Sequence, residues 1–313
     1  MELLLDYNLQ DHTIRDGVTQ SELSLLDECP KKWNFRYNNL LEKADHFDWN
    51  FFVGGAWHSF QEKWRETKGK HSPASFTPPE IPKNIGRDSA FEERLDYWSN
   101  VLPVVQQVYA KMWKEEAVHP WSIIEETLTA KHLDWTVMGK IDLASDKPRF
   151  IRDFKSTSSA WLITPDGWHF KLQFMLYAWL MSKNFPVWGT KPFEFQLDIF
   201  QKPSLKQTKN ETFPGHIARV CRDIADRPEF YLRRTSFPIT PDAVKRFELE
   251  ILTPKIQRLE LARNPDNVSI ISNANTNACN LYGNQCEFFN ICEKGWEAGK
   301  FFFEQREVKH REL

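Results

Sequence analysis

Between residues 123 and 201 the hydrophobic period changes, and this constrains the fold more than any other feature of the chain. Residues 123–133 and 135–143 read as strands, rich in β-branched and aromatic residues. Asp146-Lys147-Pro148 reads as a turn, and residues 149–155 as a short strand carrying Phe150, Ile151 and Phe154. Residues 171–183 have helical spacing, and residues 193–201 return to a strand pattern. The order strand, turn, strand, helix, strand predicts an α/β fold, a mixed sheet flanked by helices.

The flanks read as mostly helical. Residues 1–17 look like an irregular arm, and Thr19-Gln20-Ser21-Glu22 opens a helix with Ser21 as its cap. Trp57, Phe60 and Trp64 recur at helical spacing. Residues 68–90, with Pro73, Pro78, Pro79 and Pro82, read as an inserted loop, and a helix over 91–117 follows, interrupted at Pro103. Thr240-Pro241-Asp242 starts a helix to about residue 262, and residues 264–277 read as a polar loop. The 313 residues divide into an arm and helix (1–53), a core (54–201) and a basic helical region (202–313).

Composition narrows the class. Hydrophobic residues at 41% and charged residues at 27% exclude wholesale disorder. No apolar run approaches the roughly 18 residues of a membrane span, and Met1-Glu2-Leu3-Leu4-Leu5-Asp6 lacks the basic start of a signal peptide. The expected compartment is the cytoplasm, with no membrane partner. A net charge of -2 argues against a protein that coats nucleic acid, but leaves room for a local basic groove.

The chemistry concentrates in the strand region. Asp142 and Asp153 lie on two strands that a short turn joins. Two carboxylates brought together repel unless a cation lies between them, and hard oxygen ligands suit Mg²⁺ or Mn²⁺. Lys155 lies two residues after Asp153, so an ammonium shares its face of the strand. Asp, Asp and Lys are what metal-assisted phosphodiester hydrolysis requires. A lone Asp-x-Lys is more often a plain surface pair, so the surrounding residues carry the weight. His58 and Glu62 lie one turn apart on one helix, and Gln173 and Tyr177 one turn apart on another.

Together these blocks resemble the RecB-like exonuclease branch of the PD-(D/E)XK nuclease superfamily. The order is Gly54-x3-His58-x3-Glu62, Gly139-x2-Asp142, Asp153-x-Lys155, then Gln173-x3-Tyr177. The resemblance implies a restriction-endonuclease-like core in which His58, Asp142 and Asp153 bind Mg²⁺ or Mn²⁺ and the Phe154 carbonyl is a further ligand. It makes Lys155 catalytic together with Asp142 and Asp153. Gln173, Tyr177 and Glu62 would support the site or contact DNA, and Glu125 or Glu126 match a supporting position loosely. Ile141 stands where the family name has proline, as is common in this branch.

Cysteines make a second constellation. Cys29 precedes Pro30, and the far end reads Cys279-x6-Cys286-x5-Cys292. Four thiolates, one from the N-terminal helix and three from the C-terminus, can close one site for Zn²⁺ or an iron–sulfur cluster. The arrangement resembles the iron-staple nucleases, of the AddB type and the small exonucleases of CRISPR adaptation. That resemblance implies a structural [4Fe–4S] cluster tying the chain ends; the x6 spacing departs from the usual x2, and zinc stays the alternative. Cys221 reads as a core thiol.

Residues 202–234 carry Lys202, Lys206, Lys209, Arg219, Arg222, Arg227, Arg233 and Arg234 against four acids, with Phe200, Phe213, Phe230 and Tyr231 interleaved. Such a surface suits a DNA strand, and equally a solvated face; Lys31 and Lys32 are a second candidate for DNA contact. The expectation is a metal-dependent exonuclease of single-stranded or free DNA ends in phage or mobile-element recombination or repair. The alternatives are a non-cleaving DNA-binding module and a partner-gated subunit of a repair or CRISPR-adaptation complex.

Overall fold

The structure is a computed structural model, describing residues 17–43, 47–72, 81, 85–158, 171–264, 266–283 and 285–305. The arm at 1–16 and Pro73, Pro78, Pro79 and Pro82 of the expected loop lie outside the described residues. In chain order the elements are β1 (Gly17–Thr19), α1 (Gln20–Glu28), α2 (Pro30–Trp33), β2 (Leu41–Lys43), α3 (Trp49–Glu66) and α4 (Ser89–Met112). Then come β3 (Ile123–His132), β4 (Trp135–Asp146), β5 (Arg149–Thr157), α5 (Leu172–Asn184), β6 (Phe193–Gln201), α6 (Phe213–Asp226), α7 (Pro228–Tyr231) and β7 (Leu232–Ile239). The chain closes with α8 (Pro241–Phe247), α9 (Thr253–Arg263), α10 (Val268–Ile271), α11 (Phe289–Lys294), α12 (Trp296–Gly299) and β8 (Phe303–Gln305).

A six-stranded mixed sheet runs β1-β4-β5-β6-β7, with β3 on the other side of β4. This is the mixed sheet flanked by helices that the period change predicts. One apolar cluster packs α5, α8 and α9 on one face, around Ile141, Ile151, Trp179 and Ile199. The other packs α3, α4 and α6 on the opposite face, around Trp57, Leu143, Phe154 and Phe200. Among the described residues no helix is long and apolar enough to cross a membrane.

Several local expectations need correction. The cap of α1 is Thr19, not Ser21: the Thr19 hydroxyl accepts the Glu22 amide, so the helix starts one residue earlier. Pro103 does not interrupt α4, which runs through it, anchored by buried Val101, Leu102 and Val105 around it. The helix predicted from Thr240 is three helical pieces in succession, because residues Glu248–Leu252 widen into a π turn. The basic region is not purely helical either. Residues 232–239 form β7, paired along β6 from Phe193↔Ile239 to Phe200↔Leu232.

The expected polar loop at 264–277 contains α10. Residues 35–43 meet residues 288–305 in a satellite core. There β2 pairs antiparallel with β8, and Phe35 and Leu41 pack on Phe288 and Ile291.

Gly139 has a packing reason. A Cβ there would come within 2.9 Å of Leu180 Cδ1 and 3.0 Å of Tyr177 Cε1. Its absence lets α5 lie close against β4. Gly139→Ala is therefore expected to destabilise the fold by about 1–3 kcal/mol, the usual range for overpacking. It should also displace Gln173 and Tyr177. Thermal melting read beside the cleavage rate checks this, and a variant unchanged in both would refute the close approach.

Candidate active site

The site forms where β4 and β5 part. Thr136–Met138 of β4 pair with β1, and Leu143–Asp146 pair with β5 on the same side. Residues 139–142 have no ladder partner there among the described residues. Asp142 stands at the split, and its Oδ2 accepts the Phe154 amide at 2.7 Å, replacing the missing ladder bond. Asp153 follows Arg152, the last residue of β5 that pairs with β4, while β5 stays paired with β6 on its other side. Topology alone thus brings both aspartates to one fork.

Helix α3 supplies His58. Its N-terminus is capped by Asp48, and Phe52, Trp57, Phe60 and Trp64 anchor its apolar face. His58 Nε2 donates to the Phe154 carbonyl at 3.0 Å, and Nδ1 to Glu125 Oε1 at 3.1 Å. Asp142 Oδ2 lies 3.6 Å from Nδ1. Both ring nitrogens donate, as an imidazolium does. Burial opposes the charge, but Asp142, Glu125 and Asp153 overcome it and push the pKa up to about 9. Burial also raises the Asp142 carboxyl, with Asp153 and Glu125 adding repulsion against the pull of His58.

Glu125 is the residue the sequence marks least. Its φ is +48°, in the left-handed region that a glutamate in a strand rarely adopts. The turn of the chain there aims the carboxylate into the site, where Lys140 holds Oε2 at 2.8 Å. Such strain concentrates at functional positions. Both interactions hold the Glu125 carboxyl below its usual range although burial works the other way. The structure thus selects Glu125 over Glu126. Lys140 is missed altogether in sequence; its position beside Gly139 is the only signal.

His58, Glu125 and Asp142 each offer a ligand atom, all mutually within 4.8 Å, and this group can hold a metal ion. Asp153 stands outside that group, engaged instead by Lys155. The Lys155 ammonium lies 2.8 Å from Asp153 Oδ2 and donates to Gln173 Oε1 at 3.1 Å. Burial lowers the Lys155 pKa, but Asp153 and Asp142 more than restore it, so it stays charged. Gln173 Nε2 donates to Asp153 Oδ1 at 3.2 Å and to the Tyr177 hydroxyl at 2.9 Å. Gln173 and Tyr177 therefore orient the Asp153–Lys155 pair. Glu62 lies near Lys140 and Glu125, where burial and the neighbouring carboxylates raise its pKa against the pull of Lys140.

The four cysteines Cys29, Cys279, Cys286 and Cys292 line one cavity of about 220 Å³, together with Lys31, Lys32 and Asn275. Backbone ties support it: the Lys31 amide donates to Asn273 O, the Asn275 side chain to Glu28 O, and the Cys286 amide to Cys279 O. Cys221 stands apart, half-buried against α4 and outside this cavity.

Four of the eight basic residues of the tract are engaged by partners within the chain, two of them in surface pairs. Arg219 pairs with Glu211, Arg227 with Asp223, and Arg234 with Asp198 and Glu116. Lys202 donates to Asn50. These pairs favour the solvated-face reading for that half of the tract and leave Lys206, Lys209, Arg222 and Arg233 without an ion pair among the described residues.

The family comparison agrees with the site. The profile of the PD-(D/E)XK nuclease superfamily matches residues 17–293. No curated protein matches the chain. A crystal structure from Eubacterium rectale, described as that of a candidate exonuclease, aligns with a TM-score of 0.46 at 11% identity, over 89% of this chain and 91% of that one. With the matched span covering most of the chain, the protein belongs to the PD-(D/E)XK nuclease superfamily.

Proposed function

We propose that the protein is a Mg²⁺- or Mn²⁺-dependent exonuclease that degrades DNA from its ends, single-stranded ends preferred. The observation that carries this reading is the meeting of Asp142, Asp153, Glu125, His58 and Lys155 where β4 and β5 part. The donor set fits a hard divalent cation, three carboxylates and one imidazole nitrogen. Asp153 Oδ2 is buried and has the Lys155 ammonium at 2.8 Å as its one charged neighbour among the described residues, so a second lone pair is left for a cation.

His58, Asp142 and Asp153 are the proposed ligands, with Glu125 as a further one. A cation bound there supplies charge neutralisation and activation of water for attack on phosphorus. His58, whose two ring nitrogens both donate, would have to give up one proton to serve as a ligand. Glu125 and Lys140 fix its ring. Lys155 presents its ammonium at the mouth of the site, 35% exposed, where it stabilises charge growing on the phosphate oxygens. Gln173, held by Tyr177, keeps that ammonium on Asp153 and prevents its swinging into solvent.

For the cysteine cavity we propose a [4Fe–4S] cluster that ties α2 to the C-terminal segment. Four convergent thiols support it. So does the cavity volume, more than tenfold the roughly 15 Å³ that one water-sized sphere needs. A tetrahedral zinc ion on the same four sulfurs is the alternative. Lys31 and Lys32 place positive charge beside the thiolates.

End-labelled linear single strands, linear duplex and covalently closed circles, each with Mn²⁺, test the nuclease reading on anaerobically purified protein. Stepwise loss from an end with circles spared is the expected result. Equal cutting of circles would make the protein an endonuclease, and no cutting with DNA still bound would make it a binding module or a gated subunit. Cys286→Ala is expected to lose iron, sulfide and brown colour together, with a lower melting temperature. Stoichiometric zinc in the wild type would overturn the cluster.

A further inference from the structure

We propose that Arg233 and Phe230 form a binding subsite for one nucleotide of a single strand, beside the hydrolytic centre. The proposal rests on the nuclease reading above and names the form of substrate that the site receives.

Register places Arg233 in line with Lys155. Lys155 pairs with Ile199 across β5–β6, and Ile199 pairs with Arg233 across β6–β7. Residues aligned in this way point to the same face of a sheet. Ile199 packs in the cluster around α5, and Lys155 reaches Gln173 of α5, so Arg233 faces that side too. Its neighbour Arg234 points to the other face and is consumed by Asp198 and Glu116. Two interstrand steps of about 4.8 Å set the Arg233 backbone roughly 10 Å from that of Lys155. That span is about three stacked-nucleotide rises of 3.4 Å.

The chemistry at this position is that of a nucleotide. Arg233 makes no ion pair among the described residues, whereas Arg65, Arg152, Arg219, Arg227 and Arg234 all have carboxylate partners. Its guanidinium lies 5.5 Å from the Phe230 ring centroid. Arg227, already neutralised by Asp223, lies 5.0 Å from the same ring. Phe230 is 38% exposed although it is a large apolar side chain. A guanidinium without a carboxylate partner suits a phosphate, and a partly exposed aromatic ring suits an unstacked base that takes the place of a guanidinium beside it. A base in a duplex has both faces covered by its neighbours, so the pair selects a single strand.

The test is equilibrium binding of a 20-nucleotide single strand and a blunt duplex, by fluorescence anisotropy, to full-length Lys155→Ala protein and to metal-free wild type. Phe230→Ala and Arg233→Gln should each weaken single-strand binding roughly 5- to 100-fold, in the range for losing one stacked base. Duplex binding should change less than about twofold. Arg233→Gln should also reduce the salt slope by about one, as for one lost phosphate contact. Phe230→Trp should retain affinity, and Arg87→Gln, at an exposed arginine already paired with Glu92, should leave it unchanged. Where Phe230→Ala melts early, Phe230→Leu keeps the bulk, removes the ring and decides the point. Unchanged single-strand affinity in folded variants overturns the subsite, and so does an equal loss on duplex. Wild-type cleavage, measured separately, stands or falls with the nuclease reading, whichever way these binding results go.

Discussion

Lys155→Ala is expected to bind DNA and fail to cut it, with cleavage at least 100- to 1000-fold below wild type. That is the usual loss when one preorganised charge facing the transition state is removed. The side chain is placed for this and for little else. Its ammonium also approaches the Phe174 ring, 6.0 Å from the centroid. Its two hydrogen-bond partners, Asp153 and Gln173, belong to the site itself. Removing it leaves the buried Asp153 with Gln173 as its only side-chain donor among the described residues. The stability loss should fall between the under 1 kcal/mol of an exposed pair and the ~3–5 kcal/mol of a fully buried one, because the Lys155 side chain is about one-third exposed and Asp153 is buried. Mg²⁺ should restore much of that loss in the variant, since it supplies the countercharge that Asp153 lacks. Melting with and without Mg²⁺, beside a gel assay on end-labelled strands, reads both effects. Cleavage within tenfold of wild type would sink the assignment of Lys155.

The sequence made the sheet legible because its central strands are long, apolar and bounded by turn residues. Residues 193–201 match β6 at both ends. Asp142, Asp153 and Lys155 were legible for a related reason: charges inside apolar strands must be paired or functional. What stayed hidden was non-local. Residues 17–19 and 232–239 join the sheet only because β4 and β6 offer them an edge, and the basic residues of β7 mask its period. Glu125 was hard to separate from Glu126, since a left-handed residue inverts the alternation on which a strand reading depends. The tract 202–234 looked like a surface because sequence shows charges without their partners. Glu116, which consumes Arg234, lies 118 residues away.

Asp198→Asn is expected to be the most destabilising isosteric change in the protein. Asp198 is 1% exposed in the middle of β6. It accepts two hydrogen bonds from Arg234, both at 2.8 Å, and one from the Tyr109 hydroxyl at 2.7 Å. Arg152 stands 3.6 Å away and also pairs with Glu116, which Arg65 and Arg234 share. Three guanidiniums thus face two carboxylates, already one positive charge in excess. Neutralising Asp198 leaves three against one in a buried setting, a loss of roughly 3–5 kcal/mol. At about 2–4 °C per kcal/mol for a chain somewhat smaller than this one, the melting temperature should fall by roughly 6–20 °C. Removing the exposed pair Arg87–Glu92 should cost less than about 1 kcal/mol by comparison.

Acid supplies an independent check on the same network. Burial works against ionisation of Asp198, but Arg152, Arg234 and Tyr109 hold its carboxyl below the usual range, and the arginines do the same for Glu116. A carboxyl depressed in the folded state stabilises fully above its unfolded pKa of about 4, and that contribution disappears as pH falls through the lower folded value. The gap between wild type and Asp198→Asn should therefore be constant from pH 5 to 7 and narrow below pH 4. Urea melts across that range measure it. The same residues set the spacing of the site, because Arg65 lies on α3 two turns beyond His58 and Arg152 immediately precedes Asp153. A variant that melts within about 2 °C of wild type would mean that the freed guanidinium reaches solvent. In that case the apolar packing of Trp57, Phe60 and Phe154, rather than these charges, would be what holds α3 against β5.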